Sequence, residues 1–184
     1  MELQRQLGVT YKTAWRIAKH IRQLMSDNGG KLSGIVEVDE TLVGGKTNQA
    51  KKFKNKGTVI GMVERGGSVK TKHVSNRETH TVLKTVTTNI QRGSHIMSDD
   101  FRAYKKTKKL GYKHDSINHS KEKYVRGDVH TNTIEGFWSQ MKRSISGTYH
   151  SVSPKYLQTY ADEFAYRYNR SGSVFPLLLA RLVK

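Results

Sequence analysis

The sequence predicts an α/β domain with a mixed five-stranded sheet flanked by helices, preceded by a short helix-turn-helix-like segment. Runs of alternating and β-branched residues occur in residues 35–74, and two further short strand patterns follow, separated by helical patterns. Strands with interspersed helices are typical of a mixed sheet covered by helices. A chain of 184 residues has room for one well-cored domain and a small appendage.

The charge balance indicates a polyanionic partner. Lys and Arg number 33 against 15 Asp and Glu, which gives a net charge of +18. Such an excess attracts nucleic acid, although a basic surface that only aids solubility or binds RNA incidentally gives the same total. The absence of cysteine excludes disulfides and thiolate metal sites. Without an apolar run of about 18 residues or a signal-peptide pattern, we expect a soluble protein inside the cell.

The first 30 residues predict a helix, a tight turn at Gly8, a second helix and a linker at residues 27–30. In a helix-turn-helix, the second helix enters the major groove of DNA. The residues that it would present to phosphates and base edges are Thr10, Tyr11, Lys12, Thr13, Arg16 and Lys19. The alternative is a basic amphipathic helix that packs on the main domain. We therefore expect a partial DNA-binding segment at 1–30 and the main domain at 31–184.

Residues 35–43, IVEVDETLV, predict the first strand. Val36 and Val38 fall on one face, and Glu37, Asp39 and Thr41 fall on the other. Two more strands are predicted at 58–64 and 69–74, joined by a turn at Gly66 and Gly67. These three strands form a meander, interrupted after the first by a basic loop at 46–56.

Helices and strands alternate in the second half of the chain. The predicted elements are a helix at 78–91, a strand at 94–98, a basic helix at 101–110, a strand at 113–117, a polar loop at 118–129, a helix at 130–143 and a helix at 154–169. Asp99 stands at the end of the fourth strand. The last helix carries an aromatic stripe that is typical of core packing.

The stretch HTNTIEGFWSQMKR, residues 130–143, predicts a helix with one apolar and one polar side. The apolar side consists of Ile134, Phe137, Trp138 and Met141. Asn132, Glu135 and Lys142 are three and seven residues apart, so they fall along the other side. His130 and Arg143 are further candidates for contact with phosphate.

Asp39, Asp99 and Glu135 lie on elements that can converge at one edge of the sheet. Mg²⁺ prefers oxygen ligands and leaves positions open for a substrate phosphate. Two such ions about 4 Å apart activate an attacking oxygen and stabilise the leaving oxygen in a phosphoryl displacement. Lys142 would then hold a neighbouring phosphate as a point charge.

Each of these acidic residues also has a structural interpretation. An acidic residue in a strand, such as Asp39 with Glu40 beside it, often faces solvent. Asp99 or Asp100 would serve as a helix N-cap. Asn132 followed by Glu135 matches a capping box, which would remove Glu135 as a metal ligand or leave it free beside the cap.

Five segments together resemble bacterial insertion-sequence transposases of the DDE superfamily. They are VDETLVGG (38–45), SDDFRAY (98–104), HTNTIEGFWSQMKR (130–143), GTYHSVSPKYL (147–157) and EFAYRYNR (163–170). Five segments in the right order, over nearly the whole chain, make this a specific resemblance. It implies a ribonuclease H-like fold and a catalytic domain with a site for two Mg²⁺ or Mn²⁺ ions. It also implies cleavage of DNA at transposon ends and joining of the 3′-hydroxyl to target DNA.

The resemblance implies specific roles for four residues. Asp39 and Asp99 match the first two acidic ligands of the family. Glu135 follows Asp99 after 35 intervening residues, similar to the DD35E pattern, and Lys142 matches the basic residue seven positions later. Some related transposases use an asparagine at the third position, which here is Asn132. We favour Glu135 because a carboxylate binds Mg²⁺ better than an amide does.

The resemblance also implies partners and a location. The implied partner is double-stranded DNA, both as terminal inverted repeats and as target. The chain would act as a homo-oligomer on that DNA, at the nucleoid in a bacterial cytoplasm. Such transposases carry an N-terminal zinc ribbon, and this cysteine-free chain has none, which indicates a truncated product. Two alternatives stay open: a non-catalytic DNA-binding remnant, and a ribonuclease H-like nuclease that cuts without joining.

Overall fold

The computed structural model describes residues 2–26, 29–44, 56–117, 130–170, 172 and 175–182. Its five strands are β1 (Ile35–Gly44), β2 (Lys56–Glu64), β3 (Val69–Val74), β4 (His95–Asp99) and β5 (Lys113–Ile117), in the spatial order β3-β2-β1-β4-β5. β1, β2 and β3 form an antiparallel meander, while β4 runs parallel to β1 and to β5. The predicted mixed five-stranded sheet is confirmed.

Seven α-helices accompany the sheet in the described ranges. They are α1 (Glu2–Leu7), α2 (Tyr11–Leu24), α3 (Thr79–Asn89), α4 (Arg102–Lys105), α5 (Asn132–Ser144), α6 (Leu157–Tyr168) and α7 (Phe175–Leu182). None of these helices has the length and apolar character that a membrane span requires.

The helix boundaries differ from the predictions at several places. The predicted helix at 101–110 is the short α4 followed by a 3₁₀ helix at Lys106–Leu110, and Pro154–Tyr156 forms a 3₁₀ turn before α6. α5 continues into a π-helical turn at Ile145–Tyr149, and α7 was not predicted. The predicted loop at 118–129, most of the loop at 46–56, and residues 27 and 28 of the linker lie outside the described residues.

Each face of the sheet is covered by its own set of helices. Val36 and Val38 of β1 pack with α3 and α4 residues such as Val82 and Tyr104. The other face packs with α5 and α6, whose core residues include Ile134, Phe137, Trp138, Met141 and Leu157. Because successive strand residues point to opposite faces, the polar side of β1 lies under α5 instead of facing solvent.

Side-chain amides of α6 cover the exposed edge of β3. Asn169, the residue after α6, accepts a hydrogen bond from the Val69 N–H at 2.6 Å and donates one to its carbonyl at 2.9 Å. Gln158 accepts from the His73 N–H at 2.7 Å and donates to the Thr71 carbonyl at 3.1 Å. These bonds occupy backbone groups that an edge strand would otherwise offer to another chain, and they hold α6 along the sheet.

The N-terminal helices have the predicted order and also contact the main domain. α1 and α2 are joined at Gly8, which has a positive φ of 62°, and the Thr10 hydroxyl caps α2 by accepting from the Thr13 N–H at 3.3 Å. Arg22 of α2 pairs with the buried Glu163 of α6 at 2.9 Å. α2 is therefore fixed to the main domain by a buried ion pair.

Candidate active site

Three carboxylates meet where β1 and β4 lie side by side. Asp39 and Glu40 belong to β1 and Asp99 ends β4, and each offers an oxygen within 4.8 Å of the others. Val38 pairs with Ser98 in the parallel register, so the residues that follow them, Asp39 and Asp99, are neighbours. The parallel pairing of two strands distant in sequence thus builds the centre of the site.

Asp39 is held by α5. Its Oδ2 accepts a hydrogen bond from the indole Nε1 of Trp138 at 3.0 Å. Gly61 of β2 lies opposite Asp39, and a Cβ at that position would come within 2.4 Å of the Trp138 ring. Burial raises the pKa of Asp39 to about 6, and the charges of Asp99 and Glu135 add to the rise, while the bonds from the Glu40 backbone and the Trp138 indole oppose it.

Glu40 is the member of this group that the sequence patterns did not single out. Its side chain is 2% exposed, and the hydroxyl of the buried Tyr104 acts on it as a hydrogen-bond donor. Among the described residues, the cation that pairs with it is Arg77, whose Nη2 lies 3.7 Å from Oε1. Burial raises the pKa of Glu40 to about 7 against the opposing charge of Arg77. The interpretation of Glu40 as a solvent-facing strand residue is therefore wrong, because helices cover both faces of β1.

Asp99 has a local hydrogen bond as well as its place among the carboxylates. Its Oδ1 accepts from the Phe101 N–H at 3.1 Å, which leaves its Oδ2 outside that bond. Asp100, the alternative cap, pairs instead with Lys105 at 2.7 Å on the surface. The N-cap residue of α4 is Phe101, so neither aspartate caps this helix.

Glu135 lies on α5 close enough to Asp39 for its charge to raise the pKa of Asp39. Its Oε1 accepts a hydrogen bond from the Thr131 hydroxyl at 2.8 Å, and its side chain is exposed. Asn132 is exposed at the first residue of the helix. Lys142 and Arg143 are exposed in the last turns of the same helix. Glu135 thus borders the group formed by Asp39, Glu40 and Asp99.

The capping box between Asn132 and Glu135 does not form, so that alternative is wrong. The N-cap residue of α5 is Thr131, which makes Asn132 part of the helix. The orphan N–H groups of Thr133 and Ile134 instead donate to Oε2 of Glu37, at 2.9 and 3.1 Å. A carboxylate from β1 therefore takes the role that a local cap would have taken.

Glu37 is completely buried and joins β1 to the start of α5. Its Oε1 accepts from the Thr133 hydroxyl at 3.0 Å and from the Arg65 Nε at 2.8 Å. The His130 Nδ1 lies 3.3 Å from the same oxygen, and Arg65 also donates to the His130 carbonyl at 2.9 Å. Because Asp39 follows Glu37 by two residues, this network fixes Glu135 relative to Asp39. Nothing in the local sequence indicated it.

The candidate DNA-contacting residues of α2 are not members of the carboxylate group. Tyr11, Lys12, Thr13 and Arg16 are exposed. The Lys19 ammonium lies over the rings of Trp15 and Tyr156, at 5.9 and 5.6 Å from their centroids. Their contact with DNA stays a prediction.

The donor set at the carboxylate group fits a hard divalent cation. Its donors are carboxylate oxygens, which Mg²⁺ and Mn²⁺ accept as ligands. The single hydroxyl of Tyr104 cannot saturate both oxygens of the buried Glu40, so an ion would satisfy the remaining acceptor positions. Asp39, Glu40 and Asp99 are the residues that could hold it, with Glu135 beside them.

Comparison with known proteins identifies the family. Residues 31–169 match the ISXO2-like transposase domain, whereas no curated protein matches the sequence. A similar solved structure is a chain of the simian T-cell lymphotropic virus intasome in complex with PP2A regulatory subunit B56 gamma, at 15% identity and a TM-score of 0.45. The alignment covers 74% of this chain and 49% of the intasome chain, so this chain spans about half the length of the intasome chain. The chain belongs to the family of ISXO2-like transposase domains.

Proposed function

We propose that this chain is the catalytic part of a DNA transposase that hydrolyses one strand at each transposon end and joins the resulting 3′-hydroxyl to target DNA. The observation that carries the proposal is the convergence of Asp39 and Asp99, next to Glu135, in a chain of a transposase family. Residues 31–184 would form the catalytic domain, and residues 1–30 would form the DNA-binding segment.

Asp39, Asp99 and Glu135 would hold Mg²⁺ or Mn²⁺, two ions to a site. Bound ions would supply electrostatic stabilisation and activate the attacking oxygen. The protein's contribution is to orient the ligands: the Trp138 indole holds Asp39, the Phe101 N–H holds Asp99, and the Thr131 hydroxyl holds Glu135. Asn132 is the alternative third ligand, one turn earlier on α5.

Basic residues outside the carboxylate group would bind the DNA backbone. Lys142 and Arg143 extend from the polar edge of α5, where their charges would hold phosphates near the scissile bond. Tyr11, Lys12, Thr13, Arg16, Lys19 and His130 are the further candidates. We propose double-stranded DNA as substrate and target, a homo-oligomer that holds two ends together, and action at the nucleoid in the cytoplasm.

A cleavage and joining assay tests this function. The substrate is DNA that carries the terminal repeats flanking the reading frame, with Mg²⁺ or Mn²⁺ and a separate target. We expect Asp39→Asn and Asp99→Asn to lose both products, and Lys109→Ala, an exposed change outside the carboxylate group, to retain them. A wild-type chain that binds these ends but never cleaves them with either metal contradicts catalysis. Cleavage without joined product identifies a nuclease instead.

The same assay assigns the third ligand. If Glu135 is the ligand, Glu135→Gln abolishes cleavage while Asn132→Ala keeps most of it. The reverse result assigns Asn132. Both side chains are exposed on α5, so neither change is expected to unfold the domain.

A further inference from the structure

The carboxylate of Glu40 is buried without the partners that a structural carboxylate requires. Burying an ionised carboxylate costs several kcal/mol unless hydrogen bonds or opposite charges compensate it. Glu37, on the same strand, has this compensation from Arg65, Thr133 and Ile134. The Glu40 side chain is only 2% exposed, and the hydrogen-bond donor that acts on it among the described residues is the single hydroxyl of Tyr104.

Arg77 does not fill the missing role. Its Nη2 is 3.7 Å from Oε1 of Glu40, too far for a hydrogen bond, and its side chain is 40% exposed. The guanidinium also lies over the ring of Phe101, 5.0 Å from the centroid. Within the part of the chain that the structure describes, the half-exposed Arg77 is therefore the cation paired with this group of three carboxylates, Asp39, Glu40 and Asp99.

The buried polar group beside Glu40 is the Tyr104 hydroxyl. Tyr104 is fully buried, and its hydroxyl has a side-chain hydrogen bond with Glu40. The charges of Glu40, Asp39 and Asp99 all act on this hydroxyl, so it lies near the whole group. A hydroxyl donates one hydrogen bond, whereas an ionised carboxylate has about four acceptor positions, so Tyr104 leaves most of the capacity of Glu40 for another group.

We propose that Glu40 is a direct ligand, and that Asp39, Glu40 and Asp99 together bind one divalent cation in the absence of DNA. This inference rests on the proposed function, since it concerns the same metal site. Glu135 is not needed for this ion: it lies outside the close group, and its Oε1 already accepts from the Thr131 hydroxyl. Its role would then be limited to the complex with DNA.

Binding of Mn²⁺ to the DNA-free chain tests the proposal, measured by the loss of the free-ion electron paramagnetic resonance signal. We expect Glu40→Gln and Asp39→Asn to weaken Mn²⁺ binding by at least about tenfold, since even changes to residues behind metal ligands cost that much. Glu135→Gln should bind Mn²⁺ as the wild type does. Glu78→Gln, an exposed glutamate, is the matched control and should also bind normally.

The outcomes separate this inference from the proposed function. If Glu40→Gln binds Mn²⁺ like the wild type while Asp39→Asn does not, Glu40 is not a ligand, and the transposase proposal stands. If Glu135→Gln loses binding as fully as Asp39→Asn, the three-residue site is also wrong. Failure of the wild type to bind Mn²⁺, combined with failure to cleave transposon ends, overturns both. Should Glu40→Gln not fold, as judged by circular dichroism, Glu40→Asp with its shorter reach is the replacement and carries the same expectation.

Discussion

Glu37 and Glu40 lie three residues apart on β1, and both are buried, but their surroundings are opposite. Glu37 accepts hydrogen bonds from Arg65, Thr133 and Ile134 under α5. Glu40 points to the other face of the sheet, where the Tyr104 hydroxyl is its hydrogen-bond donor among the described residues. Burial alone therefore does not assign a role. A carboxylate saturated with donors holds two elements together, and one with unused acceptor positions is available to a cation.

Glu37→Ala tests the structural role of Glu37 and should have the largest effect on stability. Removing one partner of a buried ion pair costs about 3–5 kcal/mol, because Arg65 and the N–H groups of α5 lose their acceptor. Urea denaturation measures the change in the free energy of unfolding. Glu78→Ala, at an exposed position, should change it by less than about 0.5 kcal/mol. A loss below about 1 kcal/mol for Glu37→Ala contradicts its role as the link between β1 and α5.

The pH dependence of stability tests the burial of the Glu40 carboxylate. Burial places the pKa of Glu40 at about 7 in the folded chain, above its ordinary value of 4.5. Between these two pH values, the folded chain keeps a proton on Glu40 that the unfolded chain has lost. The stability that the protonated Glu40 contributes is therefore complete below pH 4.5 and is lost as pH rises through 7. The slope from one such group is at most about 1.4 kcal/mol per pH unit.

The matched variant isolates this contribution from every other titrating group. Glu40→Gln cannot lose the proton, so the free energy of unfolding of the wild type should fall relative to that of the variant between pH 5 and 7. Thermal or urea unfolding at a series of pH values, without divalent ions, measures the difference. Parallel curves for the two proteins would show that Glu40 ionises normally and is not desolvated.

Gly61→Ala tests how firmly α5 holds Asp39, and its effect should be smaller. The added Cβ would lie 2.4 Å from the Trp138 ring and 2.7 Å from Ile134, so Trp138 must shift from the core and from Asp39. Overpacking of this kind costs about 1–3 kcal/mol. Unfolding measurements and a change in tryptophan fluorescence would report it. Gly136→Ala is the control, because no atom lies near its added Cβ and alanine favours the helix by about 0.5–1 kcal/mol. Equal effects at both glycines contradict the close packing.

Local patterns in the sequence predicted the elements but not the contacts between them. The alternation of Val36 and Val38 predicted β1, and the helical spacing of Ile134 and Trp138 predicted the buried stripe of α5. All four side chains are buried in the structure. The cap of α5 was predicted wrongly, because its acceptor, Glu37, lies 96 residues before Thr133 and no local motif can include it. The burial of Glu40 was missed for the same reason, since it depends on helices that follow β1 far along the chain.

Lys142→Ala should have the smallest effect on stability and still alter function. Lys142 is exposed in the last turns of α5, so the free energy of unfolding should change by less than about 0.5 kcal/mol. If it contacts a phosphate, DNA affinity falls, and the slope of log K against log salt concentration decreases by about one.

The control for this change is Lys109→Ala, an equally exposed lysine after α4. A titration of DNA binding at several salt concentrations should show the smaller slope for Lys142→Ala alone. Equal losses at both positions would mean that the charge of the whole surface, and not the polar edge of α5, binds the DNA backbone.

Since Glu37 fixes the first turn of α5, Glu37→Ala should also reduce the contribution of Lys142 to DNA binding. Non-additive losses in the double variant would then connect the buried cap on β1 to the phosphate contact at the far end of the helix.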